Sequence, residues 1–138
     1  MHIDTTTPFG QRVTQRLREE IVIWLVTTRA DGTPEPSPVW FTWDGQTFLI
    51  YSLRDTPRQR NIIRNPRVSL HFDSNRGGDV AVFTGEASID ESAPPAHANP
   101  AYADKYRADF ERIGVKPEHF SLKYSLPIRV HPTKLRGF

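Results

Sequence analysis

The stretch that decides the fold is YSLRDTPRQRNIIRNPRVSLHFD, from Tyr51 to Asp73. The apolar run that leads into it, Thr47–Tyr51, is typical of a buried strand. A short helix is predicted in its middle, at 57–65. Its last part predicts another strand, because apolar residues occupy every second position: Val68, Leu70 and Phe72. The stretch therefore predicts a strand–helix–strand unit with which the neighbouring segments pair.

The helix predicted at 57–65 has boundary residues at both ends. Thr56 is a favourable N-cap, and Pro57 suits the first helical position, where its missing N–H costs no hydrogen bond. Asn65 stands before Pro66, and a residue before proline disfavours the helical conformation. The positive N-terminal end of this helix is therefore expected directly after the preceding strand.

Cationic and hydroxyl side chains gather at this helix N-terminus: Arg58, Arg60, Ser52 and Thr56. A positively charged guanidinium is repelled by the positive N-terminal end of a helix, so arginines at these positions are locally unfavourable unless an anion binds there. Helix N-termini and arginine side chains both bind phosphate. The pattern therefore predicts a phosphate site in which Arg58 and Arg60 each contribute to affinity. The alternative is that these arginines are ordinary solvated side chains.

Two Asp-Gly pairs, Asp31-Gly32 and Asp44-Gly45, predict tight hairpin turns before this unit. They join three predicted strands: Ile21–Thr28, Glu35–Trp43 and Gln46–Ser52. The first strand is continuously apolar or β-branched, which predicts burial on both faces. Pro36 and Pro38 in the second strand predict an edge, a bulge or a segment that faces a ligand, because proline cannot donate to a sheet.

The C-terminal half adds two predicted strands, Val80–Ile89 and Ser125–Phe138, and Gly85 predicts a bulge or a close backbone approach in the first of them. A helical insert is predicted at about 93–122, where one helix face carries aromatic and apolar residues: Tyr102, Tyr106, Phe110 and Ile113. An amphipathic helix near the N-terminus is expected to cover the sheet. We therefore predict one domain, residues 1–138, that is mainly β: a six-stranded antiparallel barrel with peripheral helices.

Composition narrows the functional classes. The chain has 14 arginines, 4 lysines and a formal charge of +2, and it has no basic tract of five, so no nucleic-acid partner is predicted. The first 20 residues are polar and no apolar run approaches about 20 residues, which predicts a cytoplasmic protein without a membrane span. There is no cysteine, and the five histidines lack metal-ligand spacing, so no metal site is predicted. Patterns typical of serine hydrolases, Rossmann folds and P-loops are absent.

Four segments together resemble the split β-barrel family of flavin and deazaflavin reductases, the pyridoxamine-phosphate oxidase class. They are LVTTRADGTPEPSPVWFTWDG (25–45), IYSLRDTPRQRNIIRNPRVSLHFD (50–73), VFTGEA (82–87) and PIRVHPTKLRGF (127–138). The runs P-V-W-F-x-W-D-G and R-N-I-x-x-N-P-x-V are similar to the actinobacterial members that bind coenzyme F420 rather than FMN. The resemblance implies an FMN-binding type of split barrel and a homodimer with the cofactor in a groove between its subunits.

The resemblance also implies a set of cofactor-binding residues. The phosphate is expected at Ser52, Thr56, Arg58 and Arg60, the ring along Pro38, Val39 and Trp40, and further contacts at Tyr51 and Asn61. The residues themselves agree with this arrangement, because a polycyclic ring needs an apolar platform and a few polar groups. Many relatives carry lysine at the position of Arg58, and arginine presents a planar fork to phosphate instead of a point charge.

These implications predict an F420-dependent oxidoreductase that transfers a hydride between the deazaflavin and a small organic substrate. Two alternatives stay open: an FMN-binding oxidase or reductase with the same fold, and a non-enzymatic cofactor-binding protein. No catalytic side chain is assigned, because the cofactor carries the hydride and the protein orients it. Tyr51, Arg54 and Asp55 are equal candidates for assisting a protonation.

Overall fold

The computed structural model describes residues 1–138. Five α-helices are formed: α1 (Pro8–Glu19), α2 (Pro57–Arg64), α3 (Pro100–Lys105), α4 (Arg107–Ile113) and α5 (Pro117–Lys123). Seven strands are formed: β1 (Val22–Thr28), β2 (Pro34–Trp40), β3 (Thr42–Trp43), β4 (Phe48–Ser52), β5 (Arg67–His71), β6 (Ala81–Ile89) and β7 (Leu126–Gly137). None of the helices combines the length and the apolar character needed to cross a bilayer.

All seven strands belong to one antiparallel sheet with the order β2-β1-β5-β6-β7-β4-β3. The sheet curls around a core of 18 buried residues, to which α1 contributes Val13 and Leu17. The prediction of a mainly β fold with a covering N-terminal helix is therefore confirmed. β2 pairs only with β1 at one end of the order, so the structure shows an edge, one of the three alternatives predicted from Pro36 and Pro38.

The prediction of six strands is wrong by one, because the segment predicted as one strand at 35–43 is divided at Phe41. β2 pairs with β1, whereas β3 pairs with β4 at the opposite end of the strand order. Side chains hold the Phe41 peptide instead: its N–H donates to the Tyr106 hydroxyl (2.7 Å), and its carbonyl accepts from Lys105 Nζ (2.9 Å). These bonds satisfy buried backbone groups that the sheet leaves unpaired. The predicted three-strand meander therefore breaks at this residue.

Glycines shape the turns and the bulge as the sequence predicts. Gly32 and Gly45 have φ values of 88° and 97°, in the left-handed region that tight hairpin turns require. The register of β6 against β7 shifts at Gly85, which faces Pro132. A Cβ atom at Gly85 would lie 2.3 Å from the carbonyl oxygen of His131, so no larger residue fits this close approach.

The strand–helix–strand unit is confirmed, and α2 joins two strands that are not neighbours in the sheet. Thr56 Oγ1 caps the helix by accepting from the N–H of Gln59 (3.4 Å). The chain turns sharply before α2 at Asp55, which has a left-handed φ of 59°. Its N–H donates to Gln59 Oε1 (2.6 Å), so the helix start and the turn stabilise each other.

The insert between β6 and β7 is helical, as predicted, and builds a second core on the outside of the sheet. Its buried members are Leu49, Tyr51, Ala96, Tyr102, Tyr106, Phe110 and Phe120. β4 is buried on both faces, because Leu49 and Tyr51 face the insert while Phe48 and Ile50 face the barrel interior. Ile113, which was predicted to share the apolar helix face, is exposed.

Candidate functional site

A cavity of about 780 Å³ lies beside the edge strand β2. Its walls come from three parts of the chain: β2, the turn that leads into α2, and the helices of the insert. A volume of this size is typical of small-molecule and cofactor sites. The cavity therefore brings together segments that lie far apart in sequence.

A cationic wall of this cavity is formed by Arg58, in the first turn of α2. Its Nη1 donates to Ser52 Oγ (2.8 Å) and its Nη2 donates to Ser37 Oγ (2.7 Å). Three elements meet at this guanidinium, because Ser52 ends β4 and Ser37 lies in β2. A guanidinium carries five N–H donors, so donors remain after these two bonds.

Arg58 is half-buried and has no carboxylate within ion-pair distance. Glu35 lies on the same cavity wall, but it pairs with Arg29. Burial lowers the pKa of Arg58, and the charge of Glu35 opposes that effect. Arginine nevertheless stays protonated in proteins. The cavity therefore contains a permanent positive charge whose direct contacts are neutral hydroxyl groups.

An aromatic wall faces the same cavity and centres on Trp40. The Trp40 ring is stacked against Tyr106, with centroids 4.5 Å apart and planes 7° apart. It also stacks against Phe120 at 5.7 Å and meets Phe110 edge-on at 5.7 Å. These contacts fix the indole, so the wall is a rigid apolar surface of the kind that planar ligands occupy.

Two tyrosines of this wall differ in how their hydroxyl groups are bonded. Tyr51 Oη donates to the carbonyl of Pro94 (2.6 Å) and accepts from Asn99 Nδ2 (3.1 Å). Tyr102 Oη is buried and has no hydrogen-bond partner. Burial raises the pKa of both hydroxyls above the usual value for tyrosine, so both stay protonated near neutral pH.

The structure brings most of the predicted site residues together. Six of them line the cavity: Pro38, Val39, Trp40, Tyr51, Thr56 and Arg58. Ser52 is buried directly behind Arg58 and binds its guanidinium. Arg60 is exposed, lies outside the cavity lining and donates to the Asp55 carbonyl (3.3 Å). Asn61 is not on the lining but is buried behind it, where its Nδ2 donates to Oγ1 of the lining residue Thr27 (3.0 Å).

Sequence reasoning missed several residues that line the cavity, most of them in the insert: Ser37, Tyr102, His119, Phe120, Lys123 and Tyr124. Ser37 stands between the two prolines of β2, a position that the sequence alone marked as unusual. The aromatic spacing of the insert indicates burial, but it does not indicate which strand the helices cover. No group of three or more histidine, aspartate and glutamate side chains lies close enough together to hold a metal ion.

The fold and this cavity define a split-barrel protein with a cavity beside its edge strand, and Arg58 gives that cavity a cationic wall. A family model described as pyridoxamine 5'-phosphate oxidase matches residues 9–135, and the chain belongs to that family. The resemblance predicted from the sequence is thereby confirmed at the level of the family.

Solved structures with the same fold include three proteins with different names. An F420 reductase is 23% identical, with a TM-score of 0.65 over 88% of this chain and 94% of its own. General Stress Protein 26 from Bacillus anthracis is 20% identical, with a TM-score of 0.67 over 91% and 89%. HutZ, a heme storage protein from Vibrio cholerae, is 16% identical, with a TM-score of 0.64 over 95% of both chains. At these identities the likeness concerns the fold.

Proposed function

We propose that the protein is an oxidoreductase that uses coenzyme F420 and transfers a hydride between this deazaflavin and a small organic substrate. The observation that carries the proposal is Arg58, a half-buried cation in the cavity wall without a carboxylate partner. A buried charge without a partner is costly, and a bound anion would remove that cost. A phosphate accepts well from an arginine fork.

The remaining cavity residues fit a cofactor that joins a phosphate to a planar ring. Ser37 and Ser52 hold the Arg58 fork, and Thr56 is half-buried beside it at the start of α2. Pro38, Val39 and Trp40 supply the apolar surface for the ring. Arg60 and Asn61, which do not line the cavity, remain predicted contacts whose contribution must be measured.

When bound, the deazaflavin supplies the hydride chemistry. The residues of this chain bind the anionic group, hold the ring against Trp40 and exclude water with the aromatic side chains of the insert. Tyr51 is already bonded to Pro94 and Asn99, which makes it a positioned hydroxyl rather than a free one. Arg54 pairs with Glu91 outside the cavity lining, so its side chain serves another contact.

The choice of F420 over FMN rests on the run P-V-W-F-x-W-D-G and on R-N-I-x-x-N-P-x-V, which resemble F420-binding members of the family. An FMN-dependent oxidase or reductase is the alternative, because FMN also joins a phosphate to a flavin ring. The experiment is a fluorescence titration of the purified protein with F420, FMN and riboflavin. We expect saturable binding of F420 that is at least about tenfold tighter than that of FMN, which corresponds to about 1.4 kcal/mol.

The other possible results of this titration distinguish the proposed function from its alternatives. Tighter binding of FMN would replace the proposal by the FMN alternative. Equal affinity for FMN and riboflavin would contradict a phosphate site, since riboflavin lacks the phosphate. If F420 binds tightly but its reduced form reacts with none of a panel of quinones and enones, the protein is a carrier and not an enzyme.

Heme binding is a second candidate function, and one observation favours it. His119 lies on the cavity lining beside Phe120 and Tyr124, and histidine is a common axial ligand of heme iron. Hemin titration of the wild-type chain and of His119→Ala distinguishes the two functions. A Soret band that depends on His119, without F420 binding, would favour heme.

We also propose that the protein is a homodimer, as the family resemblance implies. β1 was predicted to be buried on both faces, but within one chain its outer face is only half-buried at Trp24, Val26 and Thr28. Ile21 and Val22, at its start, are exposed. A second subunit would cover this surface, with a buried area of about 2,000 Å². Sedimentation should give about twice the 15.8 kDa of one chain, and a monomer mass at micromolar concentration would contradict the dimer.

A further inference from the structure

The hydroxyl of Tyr102 is the only buried side-chain polar atom in the protein that has no hydrogen-bond partner. The residue is fully buried, with 0% of its surface exposed. A buried donor without a partner destabilises a folded protein, and native structures contain few of them. Such a group therefore calls for an explanation from its surroundings.

The neighbouring hydroxyl groups are already engaged elsewhere. The Tyr51 ring lies 4.8 Å from the Tyr102 ring, but its hydroxyl is bonded to Pro94 and Asn99. The Tyr106 ring also lies 4.8 Å away, and its hydroxyl is bonded to the Phe41 peptide. Of these three adjacent tyrosine hydroxyls, two therefore have hydrogen-bond partners and the third has none.

The free hydroxyl belongs to a residue that lines the cavity, beside Trp40 and Phe120. The rings that pack against Tyr102 belong to Tyr51, Tyr106 and Phe120 and carry no charge, so they would not compensate a charged ligand group. The cation Lys123 lies further along the lining, over the Tyr124 ring. An uncharged acceptor is the chemical group that suits a tyrosine hydroxyl in apolar surroundings. The cavity therefore has a cationic part at Arg58 and a neutral donor at Tyr102.

We propose that Tyr102 is a ligand-binding residue whose hydroxyl donates a hydrogen bond to a ring carbonyl of the ligand whose anionic group binds Arg58. The hydroxyl is closed to solvent in the ligand-free protein, so ligand binding must turn it toward the cavity. This inference rests on the proposed function, since deazaflavins and flavins both carry ring carbonyls and a phosphate group. It adds a specificity determinant to the site. A planar ligand that has the anionic group but no ring carbonyl would leave the buried donor unpaired.

The experiment compares Tyr102→Phe with Tyr106→Phe, its matched control, because both substitutions remove one buried hydroxyl. Without ligand, Tyr102→Phe should raise the melting temperature by about 2–5 °C, since it deletes an unpaired polar atom. Tyr106→Phe should lower the melting temperature, because the Phe41 peptide loses its partner. In F420 titration, Tyr102→Phe should weaken binding about three- to tenfold, which is the range for one neutral hydrogen bond.

Three results would overturn the inference, and they are distinguishable. If the wild-type chain binds F420 and Tyr102→Phe binds it equally well, the role of Tyr102 is wrong while the proposed function stands. If the melting temperature of Tyr102→Phe falls as that of Tyr106→Phe does, the hydroxyl has a partner without any ligand. If the wild-type chain binds neither F420 nor FMN, the proposed function fails, and the ligand named here fails with it.

Discussion

The two cores of this protein differ in composition and in polarity. The barrel core contains 18 buried apolar residues that alternate along the strands. The insert core is smaller and mostly aromatic, and three of its seven buried members are tyrosines. The insert core supplies Tyr51, Tyr102 and Phe120 to the cavity lining and contains the unpaired hydroxyl, whereas the barrel core supplies only Val39. The comparison indicates that the barrel holds most of the apolar core, whereas the insert completes the cavity and leaves one hydroxyl unpaired.

The largest expected effect comes from truncating one buried phenylalanine in each core. Phe83→Ala should lower the free energy of unfolding by about 3–5 kcal/mol, because the Phe83 ring contacts Phe48 and Phe72 in the barrel interior. Phe110→Ala should lower the free energy of unfolding by at least about 1 kcal/mol less than Phe83→Ala does. The reason is that the neighbours of Phe110 in the insert can relax toward the cavity. Urea unfolding measures both changes. Equal losses in the free energy of unfolding would contradict the expected difference between the two cores.

Hydrogen exchange adds a local measurement to the same pair of variants. In Phe110→Ala the amides of α3, α4 and α5 should lose protection before those of β6 and β7, because regions with fewer packing contacts open first. In Phe83→Ala protection should fall throughout the sheet.

The second-largest expected effect concerns Arg58, the cation in the cavity wall. Arg58→Ala should weaken F420 binding by about ten- to hundredfold, since a charge-assisted hydrogen bond contributes about 1.5–3 kcal/mol. Arg60→Ala was predicted from the sequence to do the same. Its exposed position outside the cavity favours a smaller loss, so Arg60→Ala is the matched comparison.

Affinity and melting temperature are both needed for these arginine variants. Without cofactor, Arg58→Ala should change the melting temperature little, because two effects oppose each other. A half-buried cation at a helix N-terminus is removed, but the hydrogen bonds to Ser37 and Ser52 are lost. Unchanged affinity in both variants would end the phosphate assignment. A larger loss for Arg60→Ala than for Arg58→Ala would move the phosphate to the outer side of α2.

The smallest expected effect is a change of folding stability with pH that depends on Lys105. Burial lowers the pKa of Lys105 to about 8, whereas an unfolded lysine titrates near 10.4. Between these values the unfolded chain binds more protons than the folded chain, so stability rises with pH. From pH 7.5 to 9.5 the wild-type protein should gain about 1–2 kcal/mol relative to Lys105→Met, measured by urea unfolding. A similar gain relative to the exposed Lys134→Met would contradict the assignment to Lys105.

Local sequence was sufficient wherever a structure depends on neighbours in the chain. The start of α2 at Pro57 and the turns at Gly32 and Gly45 follow from residues within a few positions of each other. The edge position of β2 follows from its prolines. Six of the nine predicted site residues line the cavity, because they belong to these locally determined elements.

Distant contacts account for what the sequence did not predict. The break at Phe41 depends on side chains 64 and 65 positions away, so nothing near residue 41 announces it. Arg58 and Arg60 both stand in the first turn of α2, and only the rotation of the packed helix decides which one reaches the cavity. The role of Tyr102 depends on an absent partner, which is a property of the folded state alone.

The break between β2 and β3 at Phe41 has a consequence for the order of folding. The hairpins β1–β2 and β3–β4 are local and close over short turns, which is fast. Their mutual placement depends on the strands between them, β5, β6 and β7, and on the bonds from Lys105 and Tyr106 to Phe41. Most of these contacts close long loops, which is entropically costly before the contacts form. We expect the hairpins to form early and to stay loosely joined until the insert docks. The cavity, which lies between β2 and the insert, would then be among the last parts of the protein to take shape.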